Sequence, residues 1–397
     1  MKKQMILTVL VCAVVVIAAA LLSGYWNNAP RIGTIRVGFV YSEDESTPYT
    51  ANFVQAQRAL KEEYGDKVEI LFRSNVPSRD CEQPLRELVR AGCKVIFINM
   101  DSDIPVTTAR EFPDVEFCQI SMPDISIDGT PDNYHTFNGE IYQARYASGV
   151  VAGMKLRELL DSGSLLPKDA LVGYVGANST PEVMSGYTAF FLGVRSVAPE
   201  ATMCVRYTGS WSNYNAEKEA TRQLIDEGCV IIAQHVNTAA PAVACEEAMS
   251  SGRTVYHVGY HQSMMDVAPS CALVSIRTNW SPYVIEAVGA VMNNQEIEET
   301  VSATAHGRDL SAGFESNWVE ILELNRFVAA EGTQERLEKT IDGLKKGKIK
   351  VFSGNYIGVN PRNPADTIDL NEGYTECRNS SNPTFCWLLK DCITVED

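Results

Sequence analysis

The sequence predicts an α/β protein of two similar lobes joined by a hinge, each lobe a doubly wound parallel sheet covered by helices. Two observations predict this class. Strands of continuous apolar character alternate with amphipathic helices, as in parallel sheets buried on both faces. The order of elements then repeats, because matching Gly38 to Gly173 and Cys93 to Cys229 gives offsets of 135 and 136 residues. A chain of 397 residues also exceeds what one core usually holds.

The first lobe begins with the strand IRVGFVY, residues 35–41, and a helix in FVQAQRALKEEYG. A second strand, KVEILFRSN, precedes a helix in PLRELVRAG that ends at Gly92. The strand CKVIFIN follows directly. We interpret its first residue, Cys93, as a core thiol rather than a ligand or nucleophile, and Cys229 in the second lobe likewise.

The second lobe repeats this order with the strand LVGYVG, the helix EVMSGYTAFFLGVRSVAPE, the strand TMCVRYTGS, the helix EKEATRQLIDEG and the strand CVIIAQH. A long helix around residues 138–160 precedes it. We expect lobe 1 in residues 33–136 and about 280–305, and lobe 2 in 137–279. Residues 306–397 are expected to pack on the lobes as a C-terminal segment with a cysteine-containing tail.

Residues 1–30 are predicted to be a signal peptide or a signal anchor. Lys2 and Lys3 precede the 18 uncharged residues Met5–Leu22, so we expect one apolar N-terminal helix. Positive charge on the short side predicts that the rest is exported, either secreted or anchored to the cell membrane. Tyr25 stands where a lipoprotein would carry cysteine, which excludes a lipid at this position. Cleavage and retention of the segment both stay open.

The net charge of −16 argues against a nucleic-acid partner, because phosphates require a basic surface. Ten of the eleven cysteines follow the apolar segment, where an exported protein can form disulfides. Three of them, Cys377, Cys386 and Cys392, lie in a tail rich in Gly, Asn and Pro, and we expect one bridge there. Zinc is the alternative, but C-x-x-C spacing and a nearby histidine are missing. We therefore expect no metal and no cofactor.

The run FNGEIYQARYASGVVAGM, residues 137–154, resembles a signature stretch of the basic membrane protein (Bmp) family. The resemblance continues in family order to about residue 355, through EFPDVEF, GVRSVAPEATMCVRYTGSW, EKEATRQLIDEGCVIIAQH, VYHVGY, NWSPY and GKIKVFSG. It implies a periplasmic-binding-protein-like fold that holds a solute, often a purine base or nucleoside, between its lobes. The implied partners are an ABC permease and its ATPase.

Ligand contacts are expected in loops after the strands, because the carboxyl ends of parallel strands in both lobes face one cleft. These loops are YSEDESTPYT, NMDSD, GANSTPE, TGSWSNY, HVNTAAP, GYHQSMM and RTNWSPY. The resemblance implies that Tyr49 and Trp211 stack on the two faces of a planar base. It also implies polar contacts from Asn99 and Asp101.

Further candidates lie in the loops of the second lobe and the connection that follows. Asn237 and Thr238 are expected to hydrogen-bond a ring edge or a sugar. His261 stands where nucleoside-binding relatives carry an acidic residue, and Thr278, close to Trp280, stands where some carry lysine. Because the acidic group that grips ribose is replaced, we expect a purine-like or other planar ligand without requiring a sugar.

Several of these residues also have simpler interpretations. Tyr49 is equally suited to the core or to the start of a helix, and Asp101 to capping the helix in PVTTAREF. His261 would serve as a buried, hydrogen-bonded histidine at the hinge. Trp211 lies between two serines in a polar loop, which favours ligand contact.

The predicted function is capture of a small planar solute for an ABC importer. We expect no enzyme, because G-x-S-x-G, H-E-x-x-H and the phosphate-binding G-x-x-x-x-G-K-[ST] are absent from the sequence. The alternative is a membrane-anchored sensor of the same ligand, without a role in transport.

Overall fold

The computed structural model describes residues 33–121 and 127–396, in which two seven-stranded sheets form the centres of two lobes. The strands in chain order are β1 (Ile35–Val40), β2 (Val68–Arg73), β3 (Cys93–Ile98), β4 (Glu116–Ile120), β5 (Tyr134–Gly139), β6 (Leu171–Gly176), β7 (Thr202–Tyr207), β8 (Ile231–His235), β9 (Tyr256–Tyr260), β10 (Ala272–Thr278), β11 (Thr304–His306), β12 (Asp309–Ala312), β13 (Val319–Ile321), β14 (Ile357–Asn360), β15 (Asn363–Asp369), β16 (Leu388–Leu389) and β17 (Ile393–Glu396). The predicted N-terminal helix lies outside the described residues.

Both sheets are doubly wound. The order is β11-β12-β5-β4-β3-β1-β2 in lobe 1 and β13-β10-β9-β8-β6-β7-β17 in lobe 2. Neighbouring strands pair in parallel, apart from β11 with β12 and β13 with β10 at the edges. The predicted fold class of two parallel α/β lobes is thus confirmed.

The sheets are covered by helices, and none in the described ranges is long and apolar enough to cross a membrane. In chain order they are α1 (Pro48–Tyr64), α2 (Glu82–Arg90), α3 (Ile104–Glu111), α4 (Ile141–Asp161), α5 (Pro181–Arg195), α6 (Tyr214–Asp226), α7 (Ala240–Ser250), α8 (Ser281–Met292), α9 (Ile297–Thr300) and α10 (Thr333–Lys345). Helices α4 and α5 approach closely through glycines. A Cβ atom on Gly149 would lie 2.0 Å from the carbonyl oxygen of Phe190, and one on Gly193 would lie 2.1 Å from that of Tyr146.

The chain passes between the described lobes at three adjacent places: after β5, after β10, and between β12 and β13. A Cβ atom on Gly139 would lie 2.5 Å from Cγ2 of Thr278, so the first two connections are in contact. The backbone N–H of Asn279 donates to the carbonyl of Trp318 at 2.7 Å, which joins the second to the third. Together these three connections form the hinge.

In the structure, the boundaries between the lobes fall at different residues from those expected from the sequence. Strand β5 belongs to lobe 1 as far as Gly139, beyond the expected limit at 136. The C-terminal segment, residues 306–397, supplies β12 to the first sheet and β13 and β17 to the second, besides a small sheet of order β15-β14-β16. These strands are short and lack a long apolar run, which is why sequence reasoning did not detect them.

The expected disulfide in the tail is wrong, because all ten cysteines of the described chain are free thiols. Cys377 is buried and its Sγ donates to the carbonyl of Ser381. Cys386 lies beside Asn360, whereas Cys392 lies beside Arg195. The three thiols therefore occupy different surroundings.

Candidate functional site

A cavity of about 570 Å³ lies between the lobes, at the carboxyl ends of the strands. Loops after β1 to β4 form one wall, loops after β6 to β9 form the other, and the first two hinge connections close its side. The lining residues are Ser42, Glu43, Tyr49, Val76, Pro77, Ser78, Asn99, Met100, Asp101, Ile120, Ser121, Asn138, Ile141, Thr180, Glu182, Trp211, Ser212, Asn237, Tyr260, His261, Thr278 and Trp280.

The structure brings together eight of the nine residues predicted to bind ligand: Tyr49, Asn99, Asp101, Trp211, Asn237, His261, Thr278 and Trp280. Thr238 is not among the lining residues. Its hydroxyl donates to Glu217 at 2.5 Å and accepts from the backbone of Ala240 at 3.1 Å, at the start of α7. The prediction for Thr238 is thereby corrected, since its hydroxyl organises the helix start.

On the lobe 1 side, backbone contacts hold the polar groups in place. The hydroxyl of Tyr49 donates to the carbonyl of Asn99 at 2.9 Å. The side-chain oxygen of Asn99 accepts from the backbone N–H of Ser42 at 2.8 Å. Asn99 therefore joins the loops after β1 and β3, and part of its hydrogen-bonding capacity serves the protein itself. Asp101 is exposed at the same wall.

His261 connects the two lobes at the base of the cavity. Nδ1 lies 3.3 Å from the side-chain amide of Asn52 on α1, and Nε2 lies 3.2 Å from the side-chain oxygen of Asn237 in lobe 2. Burial, with a smaller contribution from the positive charge of Arg145, holds the pKa of His261 well below its usual value. The neutral ring thus accepts from Asn52 and donates to Asn237. Its backbone is left-handed, with φ of 68°.

Tyr260 and Arg145 stand behind this histidine. The ring of Tyr260 stacks on that of His261 with centroids 3.5 Å apart, and the guanidinium carbon of Arg145 lies 4.0 Å from the Tyr260 centroid. Arg145 is buried and donates to the carbonyl of Gln234 at 2.6 Å. Within the described chain it has no ion pair with a carboxylate, so the tyrosine ring is its main electrostatic partner.

Two tryptophans contribute flat surfaces from opposite lobes. Trp280 stacks on Phe53 with centroids 4.9 Å apart, and its indole N–H has no partner among the described residues. Trp211 is half-buried and meets His235 edge to face at 5.7 Å. Its carbonyl accepts from the backbone N–H of Asn237 at 2.8 Å, which ties together the loops after β7 and β8.

The sequence profile of the Bmp family, described as "ABC transporter substrate-binding protein PnrA-like", matches residues 35–349. This chain belongs to that family. The resemblance inferred from the signature stretch is thus confirmed, and the Bmp match ends before the small sheet of the tail begins.

Curated relatives include a purine-binding protein of Brucella abortus, 28% identical over 324 residues that cover 81% of this chain and 83% of the relative. A putative ABC transporter glucose-binding protein of Haloferax volcanii is 29% identical over 253 residues. That match covers 63% of this chain and 59% of the relative.

Solved structures of low sequence identity share the Bmp protein's fold. A solute-binding protein of an ABC transporter system from Conexibacter woesei aligns with a TM-score of 0.60 and 18% identity, over 80% of this chain and 98% of the other. One from Aeropyrum pernix gives a TM-score of 0.61 and 14% identity, over 80% and 92%. A transcriptional activator of the comK gene from Bacillus halodurans gives 0.60 and 17%, over 79% and 99%. The fold alone therefore does not decide the function.

Sequence reasoning missed Glu182 in the cavity of this Bmp protein. It occupies the first turn of α5 behind Pro181, where an acidic residue reads as a helix-start signal. Its side chain is 36% exposed, and an oxygen lies 3.9 Å from Nε2 of His235. Burial raises the pKa of Glu182 to about 6, against the opposing effect of Arg145. The position was inside a predicted loop, but only the structure shows that its carboxylate reaches the cavity.

One cluster outside the cavity has ligand atoms close enough for a cation: Cys204, Glu227 and Glu396. Arg206 contacts both glutamates and lies 2.6 Å from Glu396. The guanidinium compensates the carboxylates, so the cluster is explained as an ion-pair network at the edge of the second sheet.

Proposed function

We propose that this protein captures a purine base or nucleoside between its lobes and delivers it to an ABC importer. The observation that carries the proposal is that aromatic residues of both lobes line one cavity: Tyr49 and Trp280 on one side, Trp211 and Tyr260 on the other. Stacking of a base on an aromatic side chain contributes roughly 1 to 3 kcal/mol. The purine-binding relative from Brucella abortus supports the same ligand class.

Binding is coupled to rotation of the lobes about the hinge. A ligand drives closure only as far as it binds the closed form better, so its contacts must come from both walls. Side-chain hydrogen bonds of Asn52 with His261 and of Gln55 with Arg277 already join the lobes. They lie beside the hinge, where closing requires little displacement.

Delivery requires a permease and its ATPase as partners, and it places the lobes outside the cytoplasm. A permease recognises the closed form because its two lobes then present one continuous surface. Retention near the membrane through residues 1–30 belongs to the same proposal.

The test is a thermal-shift titration of the purified full-length chain with adenine, adenosine, hypoxanthine, glucose and an amino acid. A ligand specific for the folded state raises the melting temperature, and at 100 times its Kd it contributes about 2.7 kcal/mol. We expect the purines to raise it. Trp211→Ala should weaken purine binding by about 10-fold or more, because one stacking surface is lost.

The matched control is Tyr214→Ala, which removes an exposed aromatic side chain outside the cavity lining. This variant should bind purines as the wild type does. If glucose alone raised the melting temperature, the ligand would be the one named for the Haloferax relative, and stacking on a purine base would be refuted. Equal purine affinity of the two variants would exclude Trp211 from the site.

A further inference from the structure

The charges on the cavity wall are of one sign. Glu43 and Asp101 of lobe 1 and Glu182 of lobe 2 line it, whereas the described lining residues include no lysine or arginine. His261 is held neutral by burial and by its two hydrogen bonds. An anionic ligand would therefore meet carboxylates and no lysine or arginine among the lining residues, which costs free energy in a partly closed site.

Glu182 is the carboxylate that lobe 2 contributes to the cavity, and its side chain is 36% exposed. His235, which is fully buried outside the cavity lining, is neutral, and the 3.9 Å between its Nε2 and Glu182 is too long for a hydrogen bond. Arg145 lies over the Tyr260 ring and donates to a backbone carbonyl, so its charge acts on Glu182 without an ion pair between the two side chains. The Glu182 oxygens thus keep their capacity to accept hydrogen bonds.

A second observation concerns the donors around this carboxylate. Nδ1 of His235 lies 3.1 Å from the hydroxyl of Tyr174, and Nε2 is buried with no hydrogen-bond partner among the described residues. The indole N–H of Trp280 on the facing wall is also without a described partner. Both nitrogens are enclosed by protein atoms, whereas the Glu182 side chain is 36% exposed, so the carboxylate is the group that a ligand in the cavity can reach.

We propose that Glu182 accepts a hydrogen bond from an amino group or ring N–H of the ligand, and that the cavity selects neutral or cationic nitrogen heterocycles over anionic analogues. This inference rests on the proposed function, because it takes a purine-like ligand in this cavity as given. A hydrogen bond from N–H to a carboxylate is charge-assisted, and roughly twice as strong as a neutral one.

The first test compares two purines of similar shape and different charge on the purified full-length wild type. Hypoxanthine is neutral near neutral pH, and uric acid is an anion. Calorimetric titration should show hypoxanthine bound at least about 10-fold more tightly than urate. This comparison needs no variant, so it stays decisive even where a substitution impairs folding.

The second test uses Glu182→Gln, which keeps the shape and removes the charge, with the exposed Glu331→Gln as a control for net charge. We expect the Kd for hypoxanthine to rise about 10- to 100-fold in the first variant and to stay unchanged in the second. In Glu182→Gln the ratio of the urate Kd to the hypoxanthine Kd should be smaller than in the wild type. Without ligand, its melting temperature should not fall, because burial disfavours the Glu182 charge.

A pH titration separates this role from a purely structural one. The titratable and charged groups around Glu182 are Tyr49, Arg145, Tyr174, His235 and Tyr260. Burial raises the pKa of the three tyrosines and lowers that of the histidine, so these groups keep their neutral forms near pH 6. Hypoxanthine affinity of the wild type should therefore fall as pH drops below about 6, when the carboxyl becomes protonated. In Glu182→Gln this fall should be absent.

Equal affinity for urate and hypoxanthine would overturn the inference, and so would identical behaviour of Glu182→Gln and Glu331→Gln. Absence of binding by any purine to the wild type would instead refute the proposed function. The two failures are thus distinguishable in one series of titrations.

Discussion

Replacement of His135 by glutamine should remove a pH-dependent part of the stability of lobe 1. His135 is a buried residue of β5, with Nε2 2.9 Å from Glu116 and Nδ1 2.5 Å from Glu298. Burial lowers the pKa of His135, but the hydrogen bonds to the two glutamates outweigh this effect and raise it to about 9. The ring is therefore a cation that donates from both nitrogens.

The magnitude follows from the two pKa values. A value of about 9 in the folded protein against 6.5 in the unfolded chain corresponds to roughly 3 kcal/mol of stabilisation. Because the folded pKa is the higher one, this stabilisation is fully present below pH 6.5 and is lost as pH rises towards 9. In that window the free energy of unfolding should fall by about 1.4 kcal/mol per pH unit from this group alone.

Urea denaturation between about pH 6 and 9.5 measures this contribution as the difference between wild type and His135→Gln. The difference should shrink by about 3 kcal/mol over the range. His257→Gln is the control, since His257 is equally buried but burial lowers its pKa to about 3, and it stays neutral throughout. If the free energies of unfolding of the wild type and of His135→Gln changed with pH in parallel, His135 would not be a cation bonded to both glutamates.

Two further predictions concern packing and buried hydrogen bonds. Asp309→Ala should lower the free energy of unfolding by about 2 to 4 kcal/mol, because it removes the acceptor of three hydrogen bonds, two from Ser381 at 2.6 Å. The exposed Asp342→Ala should change it by less than about 1 kcal/mol, and equal urea midpoints for both would contradict this. Gly149→Ala should cost about 3 kcal/mol, since its Cβ would lie 2.0 Å from the Phe190 carbonyl. An unchanged melting temperature of Gly149→Ala would show that α4 and α5 can lie further apart without loss of stability.

Strands β1–β3 and β6–β8 of the two main sheets were predictable because most of their residues are apolar and buried. The segment CKVIFIN was expected as a strand over residues 93–99, and β3 runs from Cys93 to Ile98. The tail offered no such signal, since β16 has two residues and β15 is largely exposed. Edge strands of this kind are determined by the partner they pair with, which a local pattern does not contain.

The position of the cavity was predictable from topology, but the contacts that each side chain makes were not. Strand ends in both lobes indicated where the ligand would be, and Trp211 lines the cavity there. Thr238 shares a loop with Asn237, yet its hydroxyl is taken up by Glu217. A polar side chain in a loop can already be hydrogen-bonded to a neighbouring residue of the protein. The sequence of the loop does not contain that contact.

The C-terminal tail is hydrogen-bonded to both lobes. Glu376 accepts hydrogen bonds from Ser185 in lobe 2 and from the backbone of Phe385, and between these points the chain reaches across to lobe 1. There Ser381 is bound to Asp309, and Asn382 donates to Ser121 at 2.9 Å. The six residues from Glu376 to Ser381 are joined by five steps, which span at most about 18 Å when fully extended. A wide opening of the cleft would have to straighten this short tether or release it from lobe 1, so residues 376–381 would restrict the lobe rotation proposed above.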